Sequence, residues 1–343
     1  MLADVFEEFR TVCLETYQLD PTYYVSAPQL SWDAMLKKTE VKLQLISDPA
    51  MFSMIDSGIR GGVAMISTRY AHANNEQMGP LFDPTQPVSF IKGLDANNLY
   101  GWAMSQSLPY GEFQWVPLEE LESIKWLEQT DDQECGYVVK VDLDYPPELH
   151  SKHNDLPLAP QRLYVKEEWL SDKQRSIKAQ YDFSRGSVSS KLVPNLMNKR
   201  EYVLDYRNLK YYMEHGLKLV KVHSAIKYKQ SKWMAPYIEV NQNKRKEART
   251  DFSKDSYKLM NNSVFGKTCE NQKKRTNIKL VNDKAKLEKL VAKPELMNVE
   301  IFGENLAAVE MQKIKLNISK PFYVGFVILE LAKLHIYRFL FKF

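Results

Sequence analysis

Ile91-Lys92-Gly93-Leu94-Asp95-Ala96-Asn97-Asn98-Leu99-Tyr100-Gly101-Trp102 reads as a short apolar strand that runs into one carboxylate and breaks into an Asn-rich turn. An aromatic residue, Tyr100, closes the turn five places after the acid. A carboxylate projected from a strand end into a turn is a natural ligand for a hard divalent cation. Mg²⁺ is commonly held by one or two carboxylates together with substrate phosphates. Asp-x-Asn-Asn is also ordinary turn chemistry, so this stretch alone leaves both readings open.

A second stretch changes the weighting. Tyr257-Lys258-Leu259-Met260-Asn261-Asn262-Ser263-Val264-Phe265-Gly266-Lys267 has a helical period. Lys258, Asn262 and Phe265 stand at i, i+4 and i+7 and so project from one side of a helix. That side offers an ammonium for phosphate, an amide donor, and a flat ring for stacking on a base.

On these residues the sequence resembles the family B DNA polymerases, specifically the protein-primed branch of viruses, organelles and large self-replicating transposons. The first palm motif of that family, Asp-x-x-x-Leu-Tyr, is matched by Asp95, Leu99 and Tyr100. The fingers motif, Lys-x-x-x-Asn-Ser-x-Tyr-Gly, is matched by Lys258, Asn262, Ser263 and Gly266, with Phe265 in place of the tyrosine. The resemblance runs from about Leu30 to about Ile336. It implies a DNA-directed DNA polymerase working on a DNA template and primer with deoxynucleoside triphosphates, and a terminal protein as a further partner. Asp95 and the Ala96 carbonyl would hold Mg²⁺ in a two-metal site. Tyr100 would lie under the deoxyribose next to Leu99 and exclude a 2′-hydroxyl. Lys258 and Lys246 would bind the triphosphate, with Asn262 and Phe265 beside it. Ser263, Gly266 and Lys267 would face DNA, and so would the Arg60-Gly61-Gly62 turn, which is similar to a template-touching turn of the family.

Bulk properties agree with such a partner. The chain of 343 residues has 44% apolar residues and a formal net charge of +4. That value hides an asymmetry, since residues 1–150 carry about −14 and 151–343 about +18. Within 241–290 there are fourteen Lys/Arg against six Asp/Glu. A basic second half suits a polyanion through phosphate neutralisation, and equally a solvated helical side. Cys13, Cys135 and Cys269 form no Cys-x-x-Cys pair, which argues against a disulfide framework and suits a reducing compartment such as a nucleus or organelle. Met1 to Arg10 lacks a secretory pattern. Phe322 to Ala332, the closest approach to a membrane span, is too short and carries Glu330.

The expected fold is α+β, an incomplete palm of antiparallel sheet backed by helices, with helical fingers. Residues 1–50 read as helix, loop, helix, with Ser31 as an N-cap, and resemble the remnant of an exonuclease domain. Residues 51–150 form a palm part with the Asp95 motif, and Ile59 to Gly62 are a turn from a helix into a strand at Val63–Ile66. Residues 151–190 are an insertion placed to contact terminal protein or DNA, and His150, His153 and Asp155 sit in a loop with no second cluster to complete a metal site. Residues 191–240 are palm again, with a Tyr-rich helix from Glu201 to His215 and a strand from Leu217. Asp142 and Asp144, two apart on a strand, share its solvent side. Residues 241–275 are the fingers, and 276–343 a palm part that ends in an apolar helix from Pro321. The family's second catalytic acid lies in an Asp-Thr-Asp hairpin, which is not found before Phe343. The sequence is thus expected to be a catalytically deficient fragment, the alternative being a non-catalytic DNA-binding protein derived from such a polymerase.

Overall fold

In a computed structural model the described residues, 2–181, 189–272, 276–313 and 318–342, form an α+β fold. Parts of the expected insertion (182–188) and fingers (273–275), together with 1, 314–317 and 343, lie outside the described residues. The chain opens with α1 (Leu2–Tyr17), α2 (Ala27–Thr39) and α3 (Pro49–Gly58), then runs irregularly to α4 (Leu99–Met104). There follow β1 (Leu108–Trp115), α5 (Leu118–Leu121), β2 (Cys135–Asp144) and α6 (His150–His153). An excursion carries β3 (Gln161–Leu163), α7 (Asp172–Gln180) and β4 (Lys191–Val193). The chain returns through β5 (Lys199–Asp205), α8 (Tyr206–Glu214) and β6 (Lys218–Ser231) to the helical pair α9 (Ala235–Glu247) and α10 (Asp251–Thr268). Last come β7 (Asn277–Val281), α11 (Lys284–Val291), β8 (Leu296–Gly303), β9 (Leu306–Met311) and α12 (Phe322–Leu340).

The main sheet is antiparallel in the order β1-β6-β2-β5. In β2 the buried Val139, Val141 and Leu143 alternate with the half-buried Lys140, Asp142 and Asp144, the period of a sheet with one covered side. Asp142 meets the His223 imidazole at 2.8 Å and Asp144 forms an ion pair with Arg200 at 2.9 Å, so the two acids share the outer side as expected and both are engaged there. α12 packs against β1, β5, α3, α4, α8 and α10, and every residue from Phe322 to Leu334 is buried. A helix apolar on all sides must be covered on all sides. The three-stranded β7-β9-β8 sheet and α11 close a small core of their own around Val281, Leu290, Val309 and Met311. Among the described residues no helix is long and apolar enough to cross a membrane.

Several elements differ from the sequence reading, each for a tertiary reason. Residues 91–95 form no strand: among the described residues no chain pairs with them, and Ile91 (64%) and Leu94 (74%) stand in solvent. Val63–Ile66 is likewise irregular. Residues 201–205 are strand rather than helix, because Val203 and its neighbours pair with β2 and the helix begins only at Tyr206, capped by Asp205. Ser31 is inside α2, its hydroxyl donating to the Ala27 carbonyl at 2.7 Å, and the N-cap position is Ser26.

Lys199 is fully buried, and its ammonium donates to the Asn195 carbonyl (3.0 Å) and to Gln161 Oε1 (3.2 Å). Burial, with the nearby Arg60 charge, pushes its pKa down from 10.5 to about 7. The unfolded chain keeps this proton between about pH 7 and 10.5 while the folded chain has released it. The buried lysine is therefore most costly below pH 7, and stability rises with pH above that, by at most about 1.4 kcal/mol per unit. Urea unfolding of wild type and Lys199→Met between pH 7 and 9 is expected to show a shallower upward slope in the variant. Equal slopes would contradict this.

Candidate nucleotide and nucleic-acid site

The turn before α4 is built by Asn98. It adopts a left-handed conformation (φ 54°, ψ 51°), and its side-chain oxygen accepts from the Gly101 N–H at 3.3 Å, capping the helix. A Cβ on Gly101 would stand 2.0 Å from the Asn98 amide, so only glycine accommodates this cap. Gly101→Ala is expected to displace the cap and cost about 1 kcal/mol in denaturant unfolding. No loss of stability would mean that the cap does not hold the turn.

The helix so started carries two aromatic anchors. Tyr100 stacks on Phe265 of α10, with ring centroids 4.2 Å apart and planes within 13°. Trp102 lies against His335 of α12 at 4.0 Å. Near-parallel rings at this separation gain about 0.5–1.5 kcal/mol beyond area burial. The first motif and the fingers motif, distant in sequence, thus meet ring to ring. Asp95, five residues before Tyr100, is exposed, and extended-chain reach limits it to roughly 17 Å from that residue. Lys258, two turns before Phe265, is about 10 Å from it along α10.

Along α10, Lys258 and Asn262 are exposed and Phe265 is half-buried, while Tyr257, Met260, Asn261, Ser263, Val264 and Thr268 face inward. The rotation of this helix is set by buried polar bonds. Asn241 of α9 donates to Asn261 at 2.6 Å and accepts from the Tyr17 hydroxyl at 2.7 Å, and the Tyr237 hydroxyl donates to the Met260 carbonyl at 3.2 Å. Lys246 is exposed in the last turn of α9. Lys267 pairs with Glu270 at 3.0 Å, and Gly266 borders open space.

A cleft of about 150 Å³ opens between Gly62, Val63, Leu99 and Tyr100 on one side and Leu329, Lys333 and Tyr337 of α12 on the other. Burial holds the Lys333 ammonium below its usual range, an effect that Glu330 opposes.

Two expected DNA-facing side chains are not at the surface. Arg60 is 7% exposed, its guanidinium donating to the Val203 carbonyl (2.7 Å) and the Gly58 carbonyl (3.2 Å) and lying 3.8 Å over the Tyr202 ring. Fully engaged inside, it has no reach to a phosphate. Ser263 is also 7% exposed, because its position in the helix turns it toward the core. Among the described residues there is no group of three or more His, Cys, Asp or Glu that could hold a metal. His150–His153 form α6, a helical turn where the sequence was read as a loop, because His153 is drawn inside against the Tyr145 hydroxyl at 2.8 Å. Sequence reasoning missed Asn98, Trp102 and Lys333. The signal for Lys333 was a charged i, i+3 pair with Glu330 inside an otherwise apolar helix.

A model of the family described as DNA polymerase type B, organellar and viral, matches residues 1–343. Among solved structures the chain is similar to Phi29 DNA polymerase in an orthorhombic crystal form, at 13% identity and TM-score 0.49, covering 93% of this chain and 46% of that one. It is similar to Phi29 DNA polymerase complexed with primer-template DNA, at 15% identity and TM-score 0.48 with the same coverage. It is also similar to the ternary complex of that polymerase with primer-template DNA and incoming nucleotides, at 13% identity and TM-score 0.48. The chain spans about half the length of these structures. No curated protein matches it.

Proposed function

The chain belongs to the organellar and viral family of type B DNA polymerases, and from that premise we propose that it serves templated DNA synthesis, seating a deoxynucleoside triphosphate between α4 and α10. What carries the reading is the Tyr100–Phe265 stack, since it joins the carboxylate-bearing turn to the helix with the exposed Lys258 and Asn262. Lys258, with Lys246 from the neighbouring helix, neutralises the triphosphate, which orients it and limits charge repulsion at the reacting phosphate. Asn262 donates from the same side. Tyr100 packs beneath the sugar, where a bulky ring leaves no space for a 2′-hydroxyl, and Phe265 supports it.

Asp95 and the Ala96 carbonyl are hard oxygen donors, and they fit a Mg²⁺ that arrives with a triphosphate better than one caged by protein alone. Bound there, the metal would stabilise charge on the attacking and leaving oxygens. The template and primer lie along the Gly61-Gly62 turn and the basic side of α9 and α10, beside Gly266 and Lys267. A terminal protein meets the excursion between β3 and β4.

The test is equilibrium binding of a fluorescent deoxynucleoside triphosphate to the full chain on primed template with Mg²⁺. Binding is expected, and Lys258→Ala is expected to weaken it about tenfold or more, the worth of one charge-assisted hydrogen bond. Salt-dependent DNA binding with no nucleotide binding would replace this reading with that of a non-catalytic DNA-binding protein.

A further inference from the structure

We propose that Lys333 is a positioning residue that holds the Gly61-Gly62 turn at the lip of the cleft beside Tyr100, acting through the Arg60 carbonyl. The proposal rests on the reading of that turn as a nucleic-acid contact. Lys333 lines the cleft from α12, and its ammonium donates to the Arg60 carbonyl at 3.1 Å. It also stands 2.9 Å from Glu330, whose own carbonyl accepts from Asn208 at 3.1 Å. The Arg60 guanidinium is fixed on β5 by Val203 and Tyr202. The residue before the turn is therefore held at both its side chain and its carbonyl.

The turn itself has nothing comparable. Among the described residues no hydrogen bond reaches Gly61 or Gly62, and a Cβ at either would meet no atom within 4 Å. Both glycines present open backbone, the kind of surface that a nucleic-acid strand contacts through its phosphates. Their position is set from one end, by Arg60, and Lys333 is the α12 group that joins this anchor to the cleft wall. A buried lysine in an apolar helix is costly unless its charge is paired and its donors are used, and here they are used on that carbonyl. The cation that sequence reasoning placed on DNA, Arg60, thus acts inside the protein, and the adjoining glycines are what remains outside.

Lys333→Met alone strands the Glu330 carboxylate and can fail to fold, so the main variant is Glu330→Gln with Lys333→Met, and Lys333→Arg is the conservative rescue. Trypsin supplies the first readout, because it cuts after arginine and Arg60 is buried. Cleavage of the Arg60–Gly61 bond, followed by mass spectrometry, is expected to rise at least tenfold in the double variant and to return toward wild type in Lys333→Arg. Unchanged cleavage at this bond, or faster cleavage at all sites alike, overturns the proposal. The second readout is primer-template affinity against salt. It is expected to fall about tenfold at an unchanged salt slope, since no phosphate-contacting cation is lost. A slope smaller by about 0.9 would place Lys333 on a phosphate and also overturn the proposal. If the wild-type chain binds no DNA, the functional reading fails, and the tryptic cut still decides the positioning role.

Discussion

Asp95→Asn is expected to remove the effect of Mg²⁺ on nucleotide binding. In the wild-type chain on primed template, Mg²⁺ should tighten deoxynucleoside triphosphate binding by about tenfold or more, and in the variant by less than about twofold, since an amide oxygen is a poor substitute for a charged ligand. The side chain is exposed and makes no hydrogen bond among the described residues. Stability should therefore stay within about 0.5 kcal/mol of wild type, as for surface changes away from special features. Paired titrations with and without Mg²⁺, next to a urea melt, separate the two quantities. A variant that keeps the full Mg²⁺ effect would remove Asp95 from the metal site. A variant that unfolds would show that the turn depends on this carboxylate for structure.

The largest stability effect is expected just past the opposite end of α4, where Ser107, immediately before β1, meets the first turn of α8. Asp205 and Arg207 are both essentially inaccessible, paired at 2.8 Å and 3.0 Å in a two-pronged contact. Arg207 also donates to the Ser107 carbonyl at 3.0 Å, and Asp205 accepts from the Tyr228 hydroxyl at 3.0 Å. The pair thus ties the start of β1 to β6 and α8. Arg207→Met leaves the carboxylate buried and unpaired, at a cost of about 3–5 kcal/mol. Adding Asp205→Asn removes that charge and keeps an acceptor to cap α8, so the double variant should recover most of the loss. Chemical denaturation of the three proteins decides it. A single-variant cost below about 1 kcal/mol would mean that water reaches the site.

Where the sequence was informative, it was so through periods that are properties of the local chain. The i, i+4, i+7 spacing put Lys258, Asn262 and Phe265 on one side of α10, and they lie there. The alternation in β2 put Asp142 and Asp144 on one side, and the apolar run of α12, broken between Phe322 and Leu334 only by Glu330 and Lys333, required cover on every side. A period does not say which neighbour a side will meet. Ile91 to Leu94 has strand composition, but a strand is made by its partner, and among the described residues none is present. Arg60 reads as a surface cation in any sequence, yet two carbonyls and an aromatic ring from β5 and its surroundings compensate its desolvation and draw it inside.

By itself, the order of residues determined the helical and strand periods, the basic second half and the two motifs that mark the family. Only the folded chain decided that Tyr100 and Phe265 touch, that Arg60 and Ser263 turn inward, and that Lys333 reaches the Arg60 carbonyl, one residue before the two glycines. The reason is that backbone periodicity is settled over a few residues. Whether a polar group is buried depends instead on partners brought from far along the chain, whose hydrogen bonds must replace those it gives up to water.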